Sequence, residues 1–238
     1  MVRELEDDPP RRIPIAVSVL IAVNVIVFLY EMMLSRGPAA DGAAVGEFIA
    51  TWGLVPREFL REIVDPGATR QIVWFTPISS MFLHGGLIHL ASNLLYLWIF
   101  GAEIEEWLGS RSFLAFYLAC GLVASGFQIA SNPGSYLATI GASGAISGVL
   151  GAYVASYPHR RLRLRWPPVP IPAMFFLLVW VVIQVLSGFD YLPAEEGGAA
   201  WWAHTGGFLA GIALTRSIRA RFSHTHDCAS DRQTPSDA

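Results

Sequence analysis

Four polar side chains stand in stretches of this 238-residue chain that are otherwise apolar: His89, Asn93, Ser143 and His204. Their types suit nucleophilic acyl transfer. Ser143 lies in Gly141-Ala142-Ser143-Gly144, shortly after the turn signal Ser131-Asn132-Pro133-Gly134-Ser135 and near the start of a predicted helix. Backbone N–H groups and the helix dipole favour negative charge at such a position. A serine hydroxyl is a weak nucleophile until a base takes its proton, and His204 is the candidate base. His89 and Asn93, at i and i+4, share one helix face. Both can donate hydrogen bonds to an oxyanion as it develops. No Asp or Glu occurs in these stretches to orient His204, so the chemistry predicted is that of a Ser-His dyad, not a triad.

Each residue also has a purely structural explanation. Ser143 sits among Gly141, Ala142, Gly144, Ala145, Ser147 and Gly148, a small-residue face of the kind that lets helices approach closely. His204 precedes Gly207 and Gly211 in a small-x-x-x-small pattern, and Asn93 alone is as readily an interhelical hydrogen bond. His84, beside Gly85 and Gly86, reads as fixing the local fold, and His159 as a solvated loop residue. His224 and His226 fall in a polar tail, where solvation is favoured over weak metal binding. The argument for chemistry rests on the four residues together.

Their positions depend on the elements that carry them. Asp, Glu, Lys and Arg are absent from 13–30, 71–102, 112–159, 166–189 and 197–215, and these windows hold 141 of the 238 residues. A membrane-spanning helix needs about 20 mostly apolar residues, so this pattern excludes soluble, fibrous and disordered chains. The fold class predicted is an all-α polytopic membrane protein with six transmembrane helices at about 13–34, 81–101, 112–131, 140–157, 169–188 and 199–216. Residues 1–12 form a cytoplasmic N-terminal segment, 13–216 the membrane domain, and 217–238 a polar, disordered cytoplasmic tail. The connection 35–75, with Trp52, Phe59 and Leu60, is expected to be partly ordered and to lie at the membrane interface. The first apolar run lacks a clear small-residue cleavage site and reads as a retained span.

Arginine bias orients the bundle. All 16 basic residues are arginine. With the N-terminus inside, twelve fall on inner segments and four (Arg36, Arg57, Arg61, Arg70) on outer ones, which places both termini in the cytoplasm. The segment 102–111, with Glu103, Glu105 and Glu106 against Arg111, fits this less well. Spans two, four and six then run the same way through the membrane. At 1.5 Å per residue, His89, Asn93, Ser143 and His204 share a depth of roughly 5–15 Å below the outer surface. Reversing the whole chain would preserve that convergence. Cys120 and Cys228 are too few for a disulfide framework or a cysteine-rich metal site. The net charge of −3 gives no reason to invoke nucleic acid as a partner.

Three segments, FLHGGLIHLASNLL (82–95), GASGAISGVLGAY (141–153) and AHTGGFLAG (203–211), resemble the signature segments of rhomboid intramembrane serine proteases. His89 and Asn93 match the family's His-x-x-x-Asn. Gly141, Ser143 and Gly144 match its Gly-x-Ser-Gly, and His204, Gly207 and Gly211 its His-x-x-Gly-x-x-x-Gly. The resemblance covers about 13–216 and implies a six-helix rhomboid-like bundle. It makes Ser143 the nucleophile, His204 the general base, and His89 with Asn93 part of the oxyanion hole. It further implies an endopeptidase that cuts in or near the transmembrane segments of membrane-protein substrates within the lipid bilayer. No metal or cofactor is required. Apart from the resemblance, the arginine bias has the site open to the outer side, and the lack of a targeting segment makes a prokaryotic plasma membrane the expected location.

Two departures from the family pattern stand out. Many rhomboids carry a Tyr or Phe four residues after the nucleophile, packed on the catalytic histidine, where this chain has Ser147. Another residue must hold His204; Trp201 or Trp202 could do so, although anchoring at the bilayer interface is the role favoured for both. The Trp-Arg pair that some members have in the first loop does not occur in 35–75. The alternative function is a catalytically inactive rhomboid-like protein that binds transmembrane clients; such proteins usually lose the serine or the histidine. Zinc and aspartyl intramembrane proteolysis lack their residues: there is no His-Glu-x-x-His, and Asp190 has no partner Asp in another span.

Overall fold

The structure is a computed structural model that describes residues 13–36, 42–157, 161–163, 170–172, 174, 175, 177–180, 182 and 201–230. Helix α1 (Ile15–Ser35) matches the first predicted span and buries Ala16, Val17, Leu20, Asn24, Phe28 and Glu31 along one side. The opposite side exposes Ile15, Val19, Ile26 and Met33, a surface that suits lipid and not water. The start of α1 is capped from another helix, because the N–H groups of Ala16 and Val17 donate to the two carboxylate oxygens of Glu105 at 2.9 and 2.8 Å. A helix N-terminus leaves its first donors unpaired and prefers a negative charge. This explains an acidic residue in the segment where the arginine bias was weakest.

The connection to the second span is ordered over most of its length. It contains α2 (Ala43–Trp52), α3 (Pro56–Val64), a 3₁₀ turn at Gln71–Phe75, the short α4 (Thr76–Ser79) and a second 3₁₀ turn at Ser80–Phe82. Beyond α3 the chain folds back on Glu62, whose carboxylate accepts the N–H groups of Gly67 and Thr69 and the Thr69 hydroxyl. These donors hold the Glu62 carboxyl below the usual carboxylate range.

The second span comprises α5 (Leu87–Tyr96), a π-helical turn at Leu97–Gly101 and α6 (Ala102–Leu108). It is followed by α7 (Ser110–Ser131) and α8 (Ser143–Ser156). Among the described residues, α1, the continuous helix Leu87–Leu108 and α7 are each long and apolar enough to cross a membrane. Helix α8 is central, with every residue from Gly144 to Tyr153 buried. It begins three residues later than the predicted 140. Its 14 residues span about 21 Å, less than the hydrocarbon thickness of about 30 Å. The extended residues leading into it lie against the first loop. Leu54 and Thr139 exchange both backbone hydrogen bonds, and the Gly141 N–H donates to the Ser80 carbonyl at 2.8 Å. Non-helical backbone is tolerated within a membrane domain where protein satisfies its polar groups in this way.

Half of the predicted fifth span, 169–188, lies outside the described residues; 174, 175, 177–180 and 182 are helical. β1 (Arg161–Arg163) and β2 (Pro170–Pro172) pair antiparallel with Leu162 opposite Ile171, so the first described residues of that predicted span are extended and not helical, as Pro170 and Pro172 favour. The final helix, α9 (Trp201–Ser230), corrects the expectation of a disordered tail from 217. No Gly or Pro occurs between Gly211 and Ser230, so nothing in the backbone stops the helix where the apolar run ends. Residues 231–238 lie outside the description. Helices α8 and α9 touch backbone to backbone. A Cβ on Gly207 would collide with the Gly144 carbonyl, and one on Gly211 with the Gly148 carbonyl. The small residues therefore do pack helices, as their structural explanation holds.

Candidate active site

Close packing of α8 on α9 brings the candidate nucleophile and base together. Ser143 is the first residue of α8, and His204 lies in the first turn of α9. The Nε2 of His204 is 2.6 Å from the Ser143 Oγ, a hydrogen bond across 61 residues of sequence. His204 is buried, and its Nδ1 has no hydrogen-bond partner among the described residues. The imidazole therefore meets the serine with one nitrogen, while no carboxylate among the described residues bonds the other.

His89 reaches the same place from α5. Gly141 has φ +116°, a conformation that side chains disfavour, and a Cβ built on it would lie 2.8 Å from the Nε2 and Cε1 of His89. That point is also 3.6 Å from the Ser143 Oγ. The glycine thus admits the His89 ring beside the serine. Asn93 stands one turn further along α5, buried, and its Nδ2 has no partner among the described residues. A buried amide donor without an acceptor is unusual and calls for an explanation. A cavity of about 20 Å³ adjoins Ser143, lined by Ser80, Ser125, Thr139 and Gly141 among others. That is room for one water molecule.

Behind the site lies a layer that the sequence alone did not reveal. The His84 N–H donates to the Glu31 carboxylate at 3.2 and 3.3 Å, and the His84 ring meets the His89 ring edge-to-face with centroids 5.1 Å apart. His84 thus joins Glu31, through its backbone, to His89, through its ring. Glu31 was overlooked because it sits just past the end of an uncharged window, where a charge is ordinarily solvated.

The aromatic ring against His204 is Trp180, with centroids 5.8 Å apart, and not Trp201 or Trp202. Trp202 precedes His204 by two residues, so it points to the far side of α9, and it is half exposed. Trp201, three residues earlier, makes no ring contact with His204 among the described residues. At the position four residues after Ser143, the Ser147 hydroxyl donates to the Ser143 carbonyl within its own helix at 2.6 Å.

Comparison with known proteins gives a consistent picture. The family model described as "Rhomboid domain" matches residues 71–221, more than half of the chain. The Rhomboid protease GluP of Bacillus subtilis (strain 168) is 37% identical over 147 residues, which is 61% of this chain and 26% of that protein. The human "Presenilin-associated rhomboid-like protein, mitochondrial" is 32% identical over 204 residues, 82% of this chain and 46% of its own length. RHOMBOID-like protein 5 of Arabidopsis thaliana is 32% identical over 156 residues, covering 65% of this chain and 45% of its own. The chain thus spans 26% to 46% of the length of these relatives. The match and the apolar helices together make this an integral membrane protein with a polytopic helical bundle. The chain belongs to the rhomboid family.

Proposed function

We propose that this protein is an intramembrane serine endopeptidase working through the dyad Ser143–His204. The observation that carries the proposal is the 2.6 Å hydrogen bond between His204 Nε2 and Ser143 Oγ. For His204 to accept the serine proton its Nε2 must be free, so the neutral ring carries its proton on Nδ1. Ser143 Oγ attacks the carbonyl carbon of the scissile peptide while its proton passes to His204 Nε2. The tetrahedral intermediate places a negative charge on the former carbonyl oxygen. The Ser143 N–H, at the start of α8, is one candidate donor to it, and His89 and Asn93 supply the others. The unpartnered Nδ2 of Asn93 supports that assignment, since a donor held without an acceptor is ready for one that forms only during reaction.

Collapse of the intermediate breaks the C–N bond, and His204 returns the proton to the leaving amine. The acyl ester on Ser143 is then hydrolysed by water, with His204 again as base. Every proton transfer in this scheme uses protein side chains and water, with no metal or cofactor. The substrate is a membrane protein whose transmembrane segment enters from the lipid and unwinds locally to offer one extended peptide bond. The proposed setting is a prokaryotic plasma membrane, with both termini cytoplasmic and the site opening outward. Residues 13–216 are the catalytic unit, with 1–12 and 217–238 flanking it on the cytoplasmic side. Retention of both Ser143 and His204 favours this over the non-catalytic client-binding alternative.

Covalent labelling tests the proposal directly. A fluorophosphonate should modify the protein in detergent or liposomes at Ser143, read by mass spectrometry of the labelled peptide. Labelling should disappear in Ser143→Ala and fall strongly in His204→Ala. Labelling at other serines only, unaffected by His204→Ala, would remove the basis for the dyad.

A further inference from the structure

We infer that Trp180 is the positioning residue for His204, holding the imidazole in line with Ser143 by ring packing in place of a carboxylate. The inference rests on the dyad proposed above. His204 makes one hydrogen bond, at Nε2, and Nδ1 has no partner among the described residues. A histidine ring turns about a broad, roughly two-fold χ2 torsion, so a single hydrogen bond does not define its plane. The second restraint is the Trp180 indole, whose centroid lies 5.8 Å from the imidazole at an interplanar angle of 66°, an edge-to-face contact. Trp180 is itself held, because it stacks on Phe208 with centroids 6.5 Å apart and planes inclined by 22°. Phe208 follows His204 by four residues and therefore lies on the same face of α9. One indole thus packs against both rings of that face and sets the orientation of the histidine relative to its own helix. Ser147 cannot do this, because its short side chain is bonded back to the Ser143 carbonyl.

A positioning role differs from simple core filling in which kinetic constant it moves. Near-attack geometry affects the chemical step, and misplacement by about 1 Å can cost on the order of 100-fold in rate. Trp180→Ala and Trp180→Phe are compared with the wild-type full chain in liposomes, using one single-pass membrane substrate. Melting temperature and the rate of fluorophosphonate labelling at Ser143 are measured alongside. Trp180→Ala should lower kcat about 10- to 100-fold with KM little changed, and slow labelling of Ser143 in parallel. Trp180→Phe should restore most of both, because an aromatic edge is again available. Unchanged kcat and labelling in Trp180→Ala would overturn the inference. So would a loss in Trp180→Phe as deep as in Trp180→Ala at an unaltered melting temperature. If Trp180→Ala fails to fold, Trp180→Phe decides alone: near-normal kcat, KM and labelling support the inference, and a folded protein with strongly reduced kcat overturns it. Failure of the dyad itself would look different, since wild-type cleavage would then survive Ser143→Ala.

Discussion

The carboxylate of Glu31, buried in α1, accepts the backbone N–H of His84 at 3.2 and 3.3 Å. This contact ties the first helix to the turn that opens α5, and the ring of the same His84 packs on His89. Removing the carboxylate leaves a buried donor unpaired, which costs about 1–3 kcal/mol. Glu31→Ala should therefore lower the melting temperature in detergent and reduce cleavage by the folded fraction, as His89 loses its support. Glu31→Gln keeps an acceptor oxygen and should retain most of both. Equal stability and activity in Glu31→Ala and wild type would contradict this role.

Gly141 is required twice, by its φ of +116° and by the His89 ring where a Cβ would stand. Backbone strain of this kind costs on the order of 1–3 kcal/mol. Displacement of His89 should cost more in rate than the strain does in stability. Gly141→Ala is expected to stay folded at reduced melting temperature and to lose about 100-fold in kcat. Steady-state cleavage in liposomes measures this; a variant with normal kcat would show that His89 need not lie against Gly141 for turnover.

Glu105 should behave in the opposite way. It caps the first N–H groups of α1 from the middle of α6 and is remote in sequence from the dyad. Glu105→Ala orphans buried donors at about 1–3 kcal/mol each, so thermal unfolding should shift down clearly. Activity per folded molecule should remain near normal. A large kcat loss without a stability change would contradict the capping role.

The first loop carries a pH-dependent contribution to stability. Glu62 has its carboxyl held below the ordinary value of 4.5 by hydrogen bonds from Gly67 and Thr69. For a carboxylate whose folded pKa is depressed, the stabilisation is fully present above the unfolded pKa and is lost as pH falls through the folded one. The melting-temperature gap between wild type and Glu62→Gln should thus be constant near neutral pH and shrink below about 4.5. A gap that widens on acidification would contradict the assignment.

Features set by composition and short-range spacing could be read in the sequence, and those set by tertiary approach could not. The uncharged windows located α1 and α7 within about two residues, because hydrocarbon tolerates few charges, but placed the helix Leu87–Leu108 six to seven residues too early, since it carries Glu103, Glu105 and Glu106 at its inner end. The residues of the candidate site were legible because polar groups are conspicuous in such windows and three short motifs carry them. Trp180 was not, since an apolar aromatic in an apolar run gives no sign of which ring it will meet. Glu31 and Glu105 were missed as partners because their carboxylates accept from backbone N–H groups, which nearly every residue has and which meet them only once helices pack. The continuation of α9 to Ser230 escaped because a polar composition was read as disorder, although no helix breaker occurs there.

The most direct test of the central claim is cleavage of a single-pass membrane substrate by the purified protein in liposomes, with Ser143→Ala and His204→Ala as the comparison. The dyad predicts a defined cut in or near the transmembrane segment by the wild type, and none by either folded variant. Cleavage that persists in Ser143→Ala, or a wild type that binds such substrates without cutting any of a varied panel, would contradict it.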